Sequence, residues 1–346
     1  MKEKLASIQY LRAIAALLVV FHHARNVHPW LYNPLADFGL AQCGVDVFFV
    51  ISGFVMYSAA RSETTGEFLR RRLIRIVPPY WLATIVSAPL ILLNHASALN
   101  GPLVAHVADS LLFIPHYSPE HAGEIWPLLA VGWSLNYEMF FYIVFAAGIA
   151  ARRLVGVAVV TLGLLVVAGL LLKSDNALWR SYTDPLLFEF LAGVGLAVGR
   201  ERLRSHDLSL LLPIGFVALG LSTMMKLPQV LAWGVPALMI VAGAISLETR
   251  GRLPRLKALG MLGDASYAIY LFQVICIGLV GLAVQRLPIH GPLQLVLMIA
   301  ACMVSSAVAG LAIHYGLERP LLRYLSGRRF PPAQREFTPR AAPSVG

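Results

Sequence analysis

The chain has 346 residues, of which 58% are hydrophobic and 13% charged, with a formal net charge of +10. A soluble globular domain carries about a quarter charged residues, so this balance excludes one and points to an all-α polytopic membrane protein. The positive charge sits between apolar runs, where membrane topology accounts for it, and nucleic acid is not expected as a partner.

The first run, SIQYLRAIAALLVVFHHARNV (7–27), carries Arg12 near its start and His22 and His23 near its end. It has no small-residue cleavage site, so it reads as a spanning helix rather than a signal peptide. An ionisable group inside a span is costly and marks a functional site by default. Arg12 and His23 are eleven residues apart, about three turns and roughly 16 Å of rise, which puts both on nearly one face. His22 falls off that face. Nine further runs follow, at 40–60, 76–95, 130–150, 154–172, 185–200, 207–225, 229–247, 264–284 and 292–316, making about ten transmembrane helices. These runs are too long for the strands of an outer-membrane barrel. Pro102, Pro115, Pro119 and Pro127 mark the third connection as loop or broken helix. No internal repeat of solenoid type is present.

With the N-terminus inside, twenty-two Lys and Arg fall on the inner side and five on the outer, while the connection 94–127 has neither. The asymmetry places both termini in the cytoplasm. The expected organisation is a transmembrane domain over 1–325 and a disordered cytoplasmic tail over 326–346, rich in Pro, Arg and Ala.

Topology assigns depths to the polar residues. His23 lies about a turn from the outer boundary, Asp46 opens the second span within GVDVFFVISGF, and Glu138 lies two turns into the fourth, below Ser134. A histidine and two carboxylates at similar outward depth suit a general base with an orienting partner; the competing reading is that they only tie helices together. On the inner side RRRLIRIVPPYW places Arg72 and Arg75 on one face, followed by the interfacial pair Tyr80 and Trp81. Arginine forks match phosphate oxygens, so this cluster and Arg12 form a candidate phosphate site. Tyr267, Tyr270 and Gln273 share one face of the ninth span, with Asp264 or Ser266 as its expected cap. Glu318 is expected to form a structural ion pair beside Arg319. His28, His95, His106, His116, His121 and His290 have no metal-site spacing, and Cys43, Cys276 and Cys302 suggest packing, so no metal is expected. Walker, GxGxxG, HExxH and GxSxG motifs are all missing.

Arg12-x10-His23, GVDVFFVISGF, RRRLIRIVPPYW, GWSLNYEMFFY, FEFLAGVGLA and LGDASYAIYL, in that order from about Ser7 to Leu325, together resemble the acyltransferase-3 family. Within it the chain looks most like the branch of exopolysaccharide (succinoglycan-type) O-acetyltransferases. The resemblance implies a multi-pass bacterial inner-membrane enzyme that moves an acyl group, usually acetyl, from acyl-CoA to a hydroxyl of a carbohydrate acceptor. It implies His23 as the catalytic residue with Arg12, places the family's Arg-x-x-Arg motif on Arg72 and Arg75, and places Trp-Ser-Leu-x-x-Glu on Trp133, Ser134, Leu135 and Glu138. Many relatives carry histidine near Gln273, and glutamine cannot titrate.

The expected mechanism binds acetyl-CoA at Arg72 and Arg75, with Tyr80 and Trp81 beside them, and threads its arm toward His23. Glu138, or Asp46, orients the imidazole, and Asp46, Trp133, Ser134, Tyr267 and Tyr270 are assigned to the acceptor. The competing function is a proton-coupled transporter of a sugar or acidic solute, with His23 and the carboxylates as a relay. A non-catalytic scaffold would have no reason to align Arg12 with His23.

Overall fold

A computed structural model of the chain describes residues 5–26, 30–36, 38–93, 101–203 and 205–326. The expected tail lies outside the described residues, as do His28 and His95. No strand occurs among the described residues, and the helices run in chain order as α1 Ala6–Asn26, α2 Gly44–Ala60, α3 Thr65–Leu93, α4 Gly101–Leu111, α5 Trp133–Ala150, α6 Leu154–Leu171, α7 Ala177–Tyr182, α8 Leu187–Leu203, α9 Leu211–Ser222, α10 Val235–Thr249, α11 Lys257–Asp264, α12 Ser266–Val284, α13 Pro292–Ile313 and α14 Arg319–Ser326. Short π turns at Val230–Gly234 and His314–Glu318 lead into α10 and α14.

Six of these helical stretches are long and apolar enough to cross a membrane: Ala6–Arg25, Gly39–Ala60, Leu154–Leu171, Val230–Thr249, Ser266–Val284 and Pro292–Leu325. The other four expected spans coincide with α3, α5, α8 and α9; α8 and α9 have only 17 and 12 residues, while α3 and α5 carry the polar residues described below. Large apolar side chains point outward from the bundle, among them Ile143, Leu164, Leu171, Leu293 and Val304. Such a girdle suits lipid as the surrounding solvent.

Two local expectations are corrected. The third span was expected from residue 76, yet α3 begins at Thr65. A capping box starts it early: Thr64 and Glu67 exchange hydrogen bonds of 3.1 and 3.3 Å, so the arginine-rich stretch becomes the first turns of the helix. The chain stays helical through Pro78 and Pro79. The second correction concerns the cap of the ninth span: α12 fills the span from Ser266, directly after α11, with no side-chain cap, and Ser266 Oγ has no partner.

α1 is the central helix, packed by α2, α10, α11, α12 and α13. Its N-terminus is fixed by Glu248 of α10, which accepts from Ala6 N at 2.7 Å, Ser7 N at 2.9 Å and Ser7 Oγ at 2.5 Å. A carboxylate there answers the otherwise unpaired amides and the positive end of the helix dipole. Glycines set the helix spacing. A Cβ on Gly44 would lie 2.5 Å from Ala15 O, on Gly263 2.1 Å from Gln9 O, and on Gly53 2.1 Å from Phe190 O. Between α2 and α8 the aromatic core continues the contact, with Phe49 stacked on Phe190 at 4.6 Å and Phe190 on Phe141 at 4.3 Å.

Small residues allow this approach where lipid supplies little hydrophobic drive between helices. A Cβ on Gly193 would lie 2.0 Å from Val50 O, whereas Gly195, two residues on, has nothing within 4 Å. Gly193→Ala should therefore push α8 off α2 at a cost of about 1–3 kcal/mol. Thermal unfolding in detergent should show a lowered midpoint for Gly193→Ala and none for Gly195→Ala. Equal midpoints would refute this helix contact.

Candidate functional site

A cavity of about 780 Å³, including its open mouth, lies inside the bundle between α1, α2, α3, α5 and α12. Arg12, Arg72 and Arg75 line it together with Glu138, Ser52, Ser134, Tyr142, Tyr267 and Tyr270, and its remaining wall is apolar. The early start of α3 puts its basic stem on the same cavity as Arg12 of α1, so residues sixty positions apart in sequence line one site. Arg75, Glu138, Asp264 and Glu318 are the charges that Arg12 feels most. Arg72 stacks over the Phe68 ring at 5.5 Å, and its buried Nε has no hydrogen-bond partner.

Three guanidinium groups share this wall with one carboxylate. Glu138 accepts from Tyr142 Oη at 2.6 Å and from Ser52 Oγ at 3.5 Å. Tyr267 Oη donates to Ile76 O at 2.8 Å, tying α12 to α3. Tyr270 Oη bonds Val131 O at 2.7 Å and Ser134 Oγ at 2.8 Å, tying α12 to α5. An excess of fixed positive charge in a partly apolar cavity calls for an anionic ligand, and guanidinium forks fit phosphate oxygens.

His23 stands beyond one end of the cavity and is joined to its wall through Gln273. Gln273 Nε2 donates to Tyr270 O at 2.9 Å, and its Oε1 faces His23 Nδ1 at 3.4 Å. The carbonyl of Tyr270 can only accept, so the amide nitrogen must face it and the amide oxygen must face the histidine. With that oxygen facing it, Nδ1 carries the ring proton and Nε2 keeps its lone pair, and the carbonyl of Val19, one turn back along α1, is a further acceptor for the ring. The neighbouring His22 is spoken for: Arg25 donates to its Nδ1 at 3.0 Å, and its Nε2 faces the Gln42 amide at 3.1 Å. Arg25, fully buried, also bonds the carbonyls of Leu35 and Ala36 and so holds the chain after α1.

Several expected roles are corrected by this geometry. Glu138 belongs to the arginine cavity, where it accepts from Tyr142 and Ser52, and the side chain that faces His23 is instead that of Gln273, an amide. Asp46 is fully buried elsewhere: it faces Glu189 of α8 and accepts from Gln229 at 3.2 Å. Tyr80 and Trp81 do not line the cavity; Tyr80 Oη bonds Ser110 O at 3.0 Å and Trp81 Nε1 bonds Leu111 O at 2.9 Å, so both anchor α4. Trp133 faces a second cleft, away from Ser134. Glu318 pairs with His314 at 2.9 Å rather than with Arg319. His106 and His116 form a hydrogen-bonded pair at 2.7 Å, and no group of three metal-binding side chains occurs among the described residues. Sequence reasoning missed Glu189, whose signal was a lone acid within the apolar run FEFLAGVGLA.

A family profile described as an acyltransferase domain matches residues 5–311, and the chain belongs to this acyltransferase-3 family. It is 39% identical over 309 residues to the exopolysaccharide production protein ExoZ of Rhizobium meliloti (strain 1021), covering 84% of this chain and 93% of that protein. It is 25% identical over 331 residues to the acyltransferase MdmB of Streptomyces mycarofaciens, covering 84% and 83%. Protein 2 in the picA locus of Rhizobium radiobacter is 27% identical over 163 residues, covering 42% and 82%. No solved structure matches.

The tautomer argument has a direct test. Gln273→Leu removes the acceptor at Nδ1, and ¹⁵N spectra of labelled histidine should change for His23 from one Nδ1–H tautomer to a mixture. An unchanged His23 spectrum would mean that Gln273 does not set the ring.

Proposed function

We propose that this member of the acyltransferase family transfers an acyl group, acetyl in the first instance, from acyl-CoA to a hydroxyl of an exported polysaccharide or lipid-linked sugar. The observation that carries the reading is the cavity in which Arg12, Arg72 and Arg75 meet opposite a single glutamate. The relative named for exopolysaccharide production supports a carbohydrate acceptor. The chain would sit in a bacterial inner membrane, crossing it ten times with both termini in the cytoplasm, a reading supported by the inward bias of Lys and Arg.

The residues divide the work by depth. Arg72 and Arg75 bind the phosphates of the donor from the cytoplasmic side, and Arg12 adds a third fork deeper in the bundle. The apolar wall from Phe48, Ile51 and Val55 accommodates the flexible arm. Arg12 and His23 lie roughly 16 Å apart along α1, so the arm and not the nucleotide reaches the histidine. Nε2 of His23 takes the proton of the acceptor hydroxyl as that oxygen attacks the thioester carbonyl, and the thiolate of CoA leaves and is protonated. The same lone pair would serve as nucleophile in a two-step transfer, with the acyl group first on Nε2 and then on the acceptor. Gln273 holds the ring in the tautomer that either route requires.

His23→Ala should leave a folded, membrane-inserted protein that transfers no label from labelled acetyl-CoA to cell-envelope glycan, a loss of at least about 10²-fold. Near-normal labelling would sink the assignment of His23. For the donor, Arg72→Ala and Arg75→Ala should each weaken acetyl-CoA binding about tenfold or more, since a charge-assisted hydrogen bond contributes about 1.5–3 kcal/mol. Unchanged affinity, measured by calorimetry, would return both arginines to topology.

A further inference from the structure

A second, polar cleft opens at the end of the bundle where α1 finishes. Three links fix its position: Trp133 in its wall precedes Ser134, Ser134 bonds Tyr270, and Gln273 one turn further along α12 bonds His23. The cleft holds about 570 Å³, including its open mouth, between the segment 117–127, the first two turns of α5, and α7 with the turn after it. Its chemistry differs from that of the arginine cavity. Trp126 and Trp133 supply flat apolar faces, while Glu124, Asn136, Arg180 and Asp184 supply acceptors and donors of both kinds.

This cleft is built and held. Gly123, at φ +85°, makes a turn that returns Glu124 to the Ser118 amide, with Ser118 N to Glu124 O at 2.8 Å and Glu124 N to His121 O at 3.1 Å. Trp126 packs against the His121 ring at 5.0 Å, and Trp133 meets Tyr137 edge-on at 5.8 Å. Arg180 donates to Tyr117 Oη at 3.1 Å, and Tyr117 donates to Asp175 O at 2.7 Å. The turn Asp184 to Leu186 is closed by Leu186 N onto Asp184 Oδ1 at 2.8 Å. One group in the wall is unanswered: Asn136 is 3% exposed, and its Oδ1 has no hydrogen-bond partner. A buried amide oxygen without a donor is costly and calls for one from outside the chain.

We infer that this cleft binds a neutral pyranose unit of an oligosaccharide, stacked on Trp126 or Trp133, with its hydroxyls bonded to Asn136, Asp184 and Glu124. A pyranose presents an apolar C–H face, which an indole covers, and a rim of hydroxyls that both donate and accept. The cleft offers both complements, with few polar groups placed around aromatic walls as in other small-molecule sites. An acyl chain would leave the polar groups stranded. A phosphate would meet two carboxylates against one guanidinium, whereas the arginine cavity sets three guanidinium groups against one carboxylate. The inference rests on the proposed acyl transfer only for its purpose, which is to hold the acceptor chain beside His23; binding itself does not depend on it.

The test uses the purified full-length protein in lipid nanodiscs, titrated with cellotetraose, maltotetraose and a β-galactotetraose by calorimetry and tryptophan emission. At least one saccharide should bind and alter the emission. Trp126→Ala and Asn136→Ala should each weaken it tenfold or more, and Trp126→Phe should retain most of the affinity. Melting curves in the same nanodiscs confirm that the variants are folded. Binding of none of the three, affinity unaffected by Trp126→Ala or Asn136→Ala, or binding of choline in their place would overturn the inference. Saccharide binding in a protein that transfers no acyl group would refute the proposed function and leave this site standing. Intact transfer with no saccharide bound in the cleft would do the reverse.

Discussion

A guanidinium inside an apolar span must be answered by opposite charge or water, because leaving it bare costs several kcal/mol. Arg12 meets that constraint only in part. Its cavity brings Arg72 and Arg75 to the same wall, and Glu138 is the one carboxylate that lines it with them. Like charges do not gather in a bundle by packing preference; they are held there by the rest of the fold. The cluster thus leaves three guanidinium groups facing one carboxylate across the cavity, an excess of positive charge that the lining itself does not answer. That incompleteness separates a binding site from a structural salt bridge such as the one joining Asp207 to Arg252 at 2.8 Å, where both partners are present.

Holding such a cluster requires a stiff frame, and glycine contacts provide it. Gly44 seats α2 on α1, Gly263 seats α11 on α1, and Gly53 with Gly193 seats α8 on α2, each at a distance no Cβ would tolerate. Backbone-to-backbone contacts leave little room to slide. The separation of Arg12 from His23 therefore acts as a fixed ruler along α1, set by helical rise and not by flexible side chains. The Glu248 cap fixes the start of that ruler. The buried Arg25, gripping the carbonyls of Leu35 and Ala36, fixes its end.

Much of this was legible in the amino-acid order, and the failures share a cause. The all-helical bundle with its long apolar runs, and the grouping of Arg12 with Arg72 and Arg75 at one cavity, follow from periodicity and charge. What miscarried was depth. Counting residues from a span boundary placed Glu138 beside His23, but it assumes parallel, equally tilted helices and says nothing of which neighbour a face meets. Glu138 turns toward α1 and α3 and meets arginines there. The same count puts Asp46 beside His23, whereas it faces Glu189, a lone acid in the apolar run of α8. Gln273 was discounted because it cannot titrate. A histidine that must present a lone pair at Nε2 needs an acceptor at Nδ1, and a neutral amide oxygen is sufficient.

The same reasoning explains why α5 opens with the polar run WSLNYE. Consecutive residues of its first two turns face different sites: Ser134, Leu135 and Glu138 line the arginine cavity, while Trp133, Asn136 and Tyr137 line the polar cleft. None of these six residues is exposed at the surface of the bundle. A span that met lipid there would need apolar side chains, but a helix standing between two polar spaces needs polar groups on both faces. The start of α5 is therefore a partition. It separates a cationic chamber from an aromatic one with two carboxylates and one guanidinium, and its Ser134 contact with Tyr270 sets both beside the helix that carries Gln273 to His23. Two cavities of different charge therefore share one helical wall without sharing a pocket.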